Sequence, residues 1–408
     1  MSKRFLSGLL SALIAFSGVV PAFAEDAEEN IEEITEAVET AAEQAEEPYS
    51  YSLDGVGDVV SASSVAYSPA ATLYKYFCQT NGVMSQTVYS AIIDPSRGGV
   101  VRGVSLGGRV GGRSAVTAMT NENEDERLLL AVNADFFSIA TGVPLGVFME
   151  DGRYVSSSDG LCAIGFDEDG RAFIGYVGDK VTFSHGNDDF TVEYFNKYPT
   201  VYGVYLLTRD FGETTYLAED VPSTEYIIEI NKDIVFGKRV RGEVIEIRSG
   251  ISNGEIPEGH AVLVVPNAYP YASQYKGIEV GDRVYIEAEC DTLFEDAVSA
   301  VGGGDILLLD GEVPSDMPKE SLQTARHPRT AVGITADGRI IMTVVDGRQS
   351  GYSNGLSLPS LAAALKAQGA VSALNFDGGG SSTFAVFTEE GGTLVNKPSD
   401  KVARKVPN

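Results

Sequence analysis

Four short polar clusters in this chain of 408 residues carry side chains that can do chemistry. They supply three carboxylates, three guanidiniums and one imidazole, and each stands beside an apolar, strand-like stretch. Two carboxylates at a scissile bond can cleave a glycosidic linkage, and arginine forks bind phosphate through paired hydrogen bonds. The set therefore suits glycosyl transfer to water, with the cations at the leaving group. The clusters are Asn133-Ala134-Asp135-Phe136-Phe137, Arg326-His327-Pro328-Arg329-Thr330-Ala331, Asp346-Gly347-Arg348 and Asn375-Phe376-Asp377-Gly378-Gly379-Gly380-Ser381-Ser382-Thr383.

The cluster around Asp377 is the most informative of the four. Its carboxylate ends an apolar stretch and precedes three successive glycines, which allow close approaches that a Cβ forbids. A hairpin turn built on Asp-Gly is the simpler alternative. Such a turn needs neither three glycines nor the two hydroxyls of Ser381 and Ser382. We therefore predict a ligand site here.

Each of the other clusters also has a purely structural interpretation. Asp135 could cap the end of a strand, and Arg329 could form a structural ion pair. The sequence Asp346-Gly347-Arg348 could be a plain loop, and His327 could simply face solvent. The functional interpretation is favoured for the first three.

Common catalytic motifs do not account for these clusters. Gly379-Gly380-Ser381-Ser382-Thr383 lacks the last glycine of a G-x-S-x-G elbow, and Gly378–Thr383 does not match G-x-G-x-x-G. The three histidines lie far apart, which argues against a histidine-built zinc centre. The default expectation is therefore that no cofactor is required. A calcium-type cation shared by Asp135, Asp346 and Asp377 is an alternative, although no EF-hand-like loop is present.

Charge and cysteine content restrict the partners. The chain has 58 Asp and Glu against 30 Lys and Arg, a net charge of -28. So acidic a protein is a poor partner for nucleic acid, and any phosphate must be recognised by a local cluster of cations. Cys78, Cys162 and Cys290 fit no zinc site, and an exported chain could pair two of them.

The first 47 residues indicate export. Residues 1–24 have a basic start, an apolar run and the cleavage site Ala22-Phe23-Ala24, as in a secretory signal peptide. A membrane anchor is the alternative, but the apolar run is short for a span. Residues 25–47 contain eleven acids and no Lys or Arg, which predicts a solvated acidic spacer. We expect a secreted or cell-surface protein with no stable membrane insertion after the signal is removed.

From residue 48 onward the pattern is mostly strands. The clearest helix is Leu358–Gln368, with Pro359 in its first turn and Gly369 as terminator. The fold class predicted is α+β, with β-rich mixed sheets and few helices. We predict one domain over 48–408, with an inserted strand-rich region around 179–300 that shows no cluster of reactive residues.

The last third of the chain predicts a crossover unit. A strand ends before Asp346, the helix follows, and a second strand ends at Asp377. If the two strands are parallel, both Asp-Gly loops leave carboxyl ends of strands, where ligands bind in such sheets.

Several stretches, in this order, resemble the phosphodiester glycosidase family. That family includes the mannose 6-phosphate uncovering enzyme of animals and exported bacterial proteins of exopolysaccharide context. The resemblance covers roughly residues 85–408 with an insertion in the middle. The matching stretches are NADFF at 133–137, GG at 303–304, RHPRTAVGI at 326–334, VVDGRQSGYSNGLSLPSLAAAL at 344–365, ALNFDGGGSST at 373–383 and NKPSD at 396–400.

The resemblance implies hydrolysis of the bond between the anomeric carbon of a sugar and a phosphate oxygen. It implies a sugar-1-phosphodiester glycan or glycolipid as substrate, in envelope or extracellular material. The catalytic residues implied are Asp135, Asp377, Arg329, Asp346 and Arg348. The substrate-binding residues implied are Asn133, His327, Thr330, Asn375, Gly378, Gly379, Gly380, Ser381 and Ser382. Nucleophile and base stay unassigned between Asp135 and Asp377, because their separation decides the matter.

Two other functions compete with this one. A non-catalytic surface protein could bind anionic polysaccharide through the same arginines. A glycosidase for neutral sugars would have no need of the arginines. Only the phosphodiester hydrolase requires both the carboxylates for turnover and the cations for the leaving phosphate.

Overall fold

The computed structural model describes residues 53–105, 109–118, 127–199, 203–215, 221–251, 253–290, 292–315, 317 and 320–408. The predicted signal peptide (1–24) and acidic spacer (25–47) lie outside these residues. The described residues form one compact unit. None of the helices in it is long and apolar enough to cross a membrane.

The described part of the chain is rich in strands and has only two short α-helices, which confirms the predicted fold class. The helices are α1 (Ser321–Thr324) and α2 (Leu358–Ala367). The strands are β1 (Asp58–Ser68), β2 (Ala71–Thr80), β3 (Met84–Ile93), β4 (Leu130–Val132), β5 (Phe148–Glu150), β6 (Arg153–Ser156), β7 (Cys162–Phe166), β8 (Ala172–Tyr176), β9 (Asp179–His185), β10 (Asp188–Val192), β11 (Tyr194–Phe195), β12 (Tyr205–Thr208), β13 (Ser223–Ile230), β14 (Lys238–Ile251), β15 (His260–Pro266), β16 (Arg283–Cys290), β17 (Ser299–Gly302), β18 (Ile306–Leu308), β19 (Arg329–Thr335), β20 (Ile340–Val345), β21 (Ala370–Phe376), β22 (Phe384–Thr388) and β23 (Gly391–Leu394).

A seven-stranded sheet, ordered β1-β2-β3-β20-β19-β21-β18, positions the polar clusters. β19 pairs antiparallel with both β20 and β21, so β20 and β21 run parallel with one strand between them. Helix α2 makes the connection, as the crossover prediction required. In register, Arg329 faces Val345 and Thr330 faces Phe376, so β19 begins where its two neighbours end. The second, third and fourth polar clusters therefore lie at one edge of the sheet.

Helix α2 forms where its sequence favours it. The hydroxyl of Ser357 accepts a hydrogen bond from Ser360 N (3.3 Å), and Pro359 occupies the first turn, where its missing N–H costs nothing. Its buried side chains, from Leu358 to Leu365, lie on one face. Gly369 follows with φ +93, a conformation that glycine tolerates best.

The strands of the predicted insertion build a sheet of their own. Its eight strands, ordered β10-β9-β16-β14-β13-β15-β12-β11, come from Asp179–Cys290. Only β11 and β12 pair in parallel among them.

Two smaller sheets complete the described structure. The five-stranded sheet has the order β6-β5-β17-β7-β8, and the three-stranded sheet has the order β23-β22-β4. One hydrophobic core joins buried residues of the seven-, five- and eight-stranded sheets, including Tyr89, Ile164 and Ile227. No disulfide joins Cys78, Cys162 and Cys290.

Candidate active site

A cavity of about 420 Å³ lies at the edge where β20 and β21 end. It is lined by most of the residues predicted from the clusters, and these come from the start of β19, the loop after β20 and the end of β21 with the turn that follows it. The predicted residues in its wall are His327, Arg329, Arg348, Asn375, Asp377, Gly378, Gly379 and Gly380.

The rest of the wall contains residues that the sequence analysis did not single out as site residues. Asp305, Gln323 and Arg404 are the polar ones. Asp305 directly follows the quoted glycine pair 303–304, and Arg404 lies four residues beyond the NKPSD stretch, so both had a nearby signal. The remaining lining is Phe136, Leu145, Leu161, Gly303, Gly304, Leu322 and Leu358.

Asp377 is the carboxylate of the predicted set that lines this cavity. Burial raises its pKa, while a hydrogen bond from Ser381, the charge of Arg404 and the N–H of Gly378 act to lower it. Its backbone is fixed on both sides. Asp377 N donates to Ala134 O (2.8 Å), and Asp377 O accepts from Asn133 Nδ2 (2.7 Å). The carboxylate is thus held in place by the backbone while it faces the cavity.

Arg348 reaches from the β20 loop toward the glycine turn. Its φ is +58, and its Nη1 lies 3.1 Å from where a Cβ on Gly379 would stand. Nε and Nη2 both lie 3.3 Å from His327 Nδ1, to which Nε donates. Burial, Arg348 and Arg329 all lower the pKa of His327, so the imidazole is neutral at pH 7.

Arg329 is buried and holds its guanidinium through backbone carbonyls. Nε donates to Leu356 O (3.0 Å), and Nη2 donates to Leu322 O (2.7 Å) and Ala325 O (3.1 Å). Burial lowers the pKa of Arg329 to about 10, a value at which the group is still charged at pH 7. None of these three hydrogen bonds uses Nη1, so this nitrogen can still donate to a ligand in the cavity.

Arg404 adds a third guanidinium at the far side of the glycine turn. Its Nη2 donates to Asp400 Oδ2 (2.6 Å), and its Nη1 lies 3.5 Å from Ser381 Oγ. A Cβ on Gly380 would stand 2.1 Å from Asp400 Oδ2 and 2.2 Å from Arg404 Nη2. The absence of a side chain at Gly380 therefore lets this ion pair lie directly on the turn.

Asn133, Thr330, Ser381 and Ser382 lie behind the wall rather than in it. Asn133 Oδ1 accepts from Thr330 Oγ1 (2.8 Å) and from Thr383 N (3.0 Å) while its amide holds Asp377. Ser382 O accepts from Asn396 Nδ2 (3.0 Å). The geometry makes these residues supports of the Asp377 loop. Asn375, by contrast, lines the cavity, and its buried Oδ1 has no hydrogen-bond partner.

Asp135 lies outside the lining, beneath the wall. Only 1% of it is exposed, and its Oδ2 accepts from Gly146 N (2.7 Å). A Cβ on Gly302 would stand 2.7 Å from this oxygen, so only a glycine leaves room there. Burial raises the pKa of Asp135 to about 7, against the lowering effect of Lys197.

Asp346 is also outside the lining, and protein donors occupy its carboxylate. Oδ2 accepts from Tyr352 OH (2.8 Å), Oδ1 accepts from Asn396 Nδ2 (3.0 Å), and Lys397 N contacts both oxygens. Only 1% of Asp346 is exposed. The geometry therefore gives no support to a catalytic Asp346. It makes Asp346 the anchor of the loop that carries Arg348.

Asp135, Asp346 and Asp377 do not converge on a cation. Among the described residues, no group of three or more His, Cys, Asp or Glu side chains is placed to hold a metal ion. The alternative of calcium-type coordination by these three carboxylates does not fit this arrangement.

Comparison with known proteins confirms the resemblance to the phosphodiester glycosidase family. A family model described as phosphodiester glycosidase matches residues 224–408. This range includes strands β18 to β21 of the seven-stranded sheet and the clusters at 326–331, 346–348 and 375–383.

The sequence relatives match short parts of longer proteins. An uncharacterized SPbeta prophage-derived protein, YomE, of Bacillus subtilis is 28% identical over 218 residues, which cover 45% of this chain and 30% of that protein. An N-acetylglucosamine-1-phosphodiester alpha-N-acetylglucosaminidase of Mus musculus is 43% identical over 72 residues, which cover 18% of this chain and 13% of that protein. The chain thus spans less than a third of either relative.

Two solved structures share the fold. A hypothetical protein from Synechocystis has a TM-score of 0.69 at 21% identity, covering 86% of this chain and 63% of that one. A protein from Burkholderia pseudomallei has a TM-score of 0.60 at 24% identity, covering 79% of this chain and 73% of that one.

Proposed function

Since residues 224–408 match the phosphodiester glycosidase family model, we propose that this protein hydrolyses sugar-1-phosphodiesters. The bond cleaved joins the anomeric carbon of the sugar to a phosphate oxygen. Water takes the place of the phosphate, which departs as a phosphomonoester anion.

The observation that carries this proposal is the charge of the cavity. The chain has a net charge of -28, yet the cavity wall contains three arginines against two aspartates. Such a local excess of guanidiniums in an acidic protein favours a substrate with a negative group. Arginine suits a phosphate, because its planar fork can donate two parallel hydrogen bonds.

We place the phosphate of the substrate beside the glycine turn formed by Gly378, Gly379 and Gly380. Arg348 and Arg404 lie against Gly379 and Gly380, one on each side, and Arg329 adds a charged group from β19. A phosphodiester leaves as a stabilised anion, so these cations can take the role that a strong general acid has in an ordinary glycosidase. They stabilise the negative charge that grows on the leaving oxygen.

His327 adds a neutral donor to this end. Because Arg348 donates to Nδ1, the neutral imidazole carries its proton on Nε2. The Nε2–H of His327, a residue of the cavity wall, is therefore available to donate to a phosphate oxygen.

Asp377 is assigned to the anomeric carbon. An ionised carboxylate can stabilise the oxocarbenium-like charge that develops at this carbon, or activate the water that attacks it. Its support by Asn133 and Ala134 keeps it in position without reorganisation during the reaction.

Another part of the wall suits a sugar ring. Phe136 offers an apolar face, and Gly304 leaves room for it, since a Cβ there would stand 2.8 Å from the ring. Asp305 and Gln323 are hydrogen-bonded to each other and can bind hydroxyl groups. Apolar Leu161 and Leu322 complete the wall, as in most sites for small molecules.

We also propose that the protein is exported and acts on envelope or extracellular glycans. The support is the signal-like sequence of residues 1–24 and the acidic composition, which disfavours nucleic-acid substrates. The substrate would be a glycan or glycolipid with a sugar-1-phosphodiester linkage.

The test is hydrolysis of a panel of α- and β-linked gluco, galacto and N-acetyl sugar-1-phosphodiesters by the purified protein. We expect release of free sugar from at least one linkage and loss of that release in Asp377→Asn. Asp310→Asn, in an exposed turn, is the matched control and is expected to keep full activity. No release from any substrate, together with retained binding of anionic polysaccharide, would replace this proposal by the non-catalytic binding protein.

A further inference from the structure

Lys197 is a buried cation that no polar cluster of the sequence contained. It lies two residues after β11, at the edge of the eight-stranded sheet, and only 5% of it is exposed. Its Nζ donates to three carbonyl oxygens in one short segment, Pro144 O (2.9 Å), Leu145 O (2.9 Å) and Gly146 O (2.7 Å). An ammonium group has three donors, and all three are used here.

The backbone just before Lys197 is built to place this side chain. Asn196 has φ +51, a conformation that Asn adopts more readily than most residues, and it is fully buried. Its Nδ2 donates to Val155 O (2.7 Å), and its Oδ1 accepts from Thr208 N (2.7 Å). Strands β6 and β12 therefore fix the direction in which the chain leaves β11.

Gly146 connects Lys197 to Asp135. Its C=O accepts from Lys197 Nζ (2.7 Å), and its N–H donates to Asp135 Oδ2 (2.7 Å). A Cβ at Gly146 would stand 2.6 Å from Gly302 Cα and 3.0 Å from Asp135 Oδ2. The segment thus packs directly against Asp135, and Leu145 within it lines the cavity.

We propose that Lys197 is a positioning residue of the cavity, which fixes Asp135 through Gly146 and supplies its compensating positive charge. The eight-stranded sheet then has a definite role, because it brings a counter-charge beneath a site built by other sheets. The positioning and charge roles of Lys197 do not depend on the proposed function. Only the expected effect on turnover rests on it.

The electrostatics of the pair agree with this geometry. Lys197 lowers the pKa of Asp135, while burial and Asp377 raise it, with a net value of about 7. Burial lowers the pKa of Lys197 to about 8, against the charges of Asp135, Asp159 and Asp179. Two ions taken out of water keep their charges only when they compensate one another.

The experiment is titration of the Asp135 carboxyl by 13C NMR in the full-length protein, with the resonance assigned by its loss in Asp135→Asn. In Lys197→Met we expect the pKa of Asp135 to rise by about one to three pH units, because the nearby positive charge is gone. Lys180→Met is the matched control, since Lys180 is an exposed lysine of the same sheet, and it should leave the titration unchanged. An unchanged Asp135 titration in Lys197→Met would overturn the proposal, and a lowered melting temperature alone would show a structural role only.

Activity supplies a second, separable readout. If the protein releases sugar, Lys197→Met should lower kcat, because the segment that Lys197 holds carries Leu145, a residue of the cavity wall. If the wild type releases none, the proposed function fails while the carboxyl titration still decides the role of Lys197.

A double variant covers the case in which Lys197→Met does not fold. Asp135→Asn combined with Lys197→Met removes both charges and should restore folding, because no uncompensated ion is left buried. A double variant that unfolds as readily as Lys197→Met would contradict charge compensation.

Discussion

Two loops at one sheet edge begin with the same Asp-Gly pair and have different roles. Asp346-Gly347 follows β20, and Asp377-Gly378 follows the parallel strand β21. The carboxylate of Asp346 is saturated by Tyr352, Asn396 and Lys397, whereas that of Asp377 lines the cavity. The difference teaches that the protein donors around a carboxylate, rather than its place on the sheet, decide whether it can react.

The two loops are nevertheless complementary. The Asp346 loop is immobilised at its carboxylate, and two residues later it extends Arg348 toward Gly379 of the other loop. The Asp377 loop is held by its backbone and presents its carboxylate. One loop therefore contributes a placed cation and the other a placed anion.

Asp377→Asn should produce the largest effect and should be confined to activity. We expect kcat to fall by about 10²- to 10⁴-fold, the usual contribution of an acid–base group, while folding is retained. Steady-state kinetics and a urea unfolding curve on the same sample measure both. A loss of stability without loss of kcat would remove the contrast between the two loops.

Arg348→Met should have the second largest effect, which is weaker binding of the substrate. A charge-assisted hydrogen bond contributes about 1.5–3 kcal/mol, so KM should rise by roughly 10- to 150-fold, and kcat should fall as well because Arg348 also stabilises the charge on the leaving oxygen. Arg348→Lys keeps the charge but loses the fork, and an intermediate KM is expected. Arg171→Met, an exposed ion-pair arginine, serves as control. Equal KM values for Arg348→Met and the wild type would exclude Arg348 from the phosphate end.

Asp346→Asn should mainly affect stability. The amide has a single acceptor oxygen, so it cannot accept from Tyr352 at one oxygen position and from Asn396 at the other as the carboxylate does, and each buried donor left unsatisfied costs about 1–3 kcal/mol. The free energy of unfolding from urea titration should fall accordingly, with kcat largely kept in the folded protein. The opposite result, full stability with kcat lost, would make Asp346 catalytic, as the family resemblance implied.

His327→Gln should show the smallest effect, as a change in the pH dependence of stability. The folded state lowers the pKa of His327 from 6.5, so the unfolded chain binds more protons below that pH. The wild type should therefore lose stability relative to His327→Gln as the pH falls through 6.5. Urea unfolding of both proteins between pH 5 and 8 measures this, and parallel curves would contradict it.

Much of the edge of the seven-stranded sheet could be predicted from the sequence. The apolar strands, the helix after Ser357 and the glycine run are local patterns, and each indicates its structure without distant partners. The Asp377 loop could be identified because three glycines and two hydroxyls exceed the needs of a turn.

The remaining features depend on distant partners. Asp346 and Asp377 look alike locally, and the donors that distinguish them come from residues 352, 396 and 397. Arg404 is an ordinary charged residue until Gly380 lets it approach the turn. Lys197 gave no signal, because its three acceptors are backbone carbonyls, which every sequence has.

The pairing of β3 with β20 has a consequence for how the chain is made. Ser90 on β3 bonds to Thr343 on β20, 253 residues later in the sequence. At about 5–20 residues per second, the ribosome needs roughly 13 to 50 s to deliver that partner. Until then β3, which is almost wholly buried in the folded protein, lacks its β20 partner, and an unpaired strand edge is open to pairing with other chains. Slower growth at low temperature or a chaperone that covers strand edges should therefore raise the yield of folded protein.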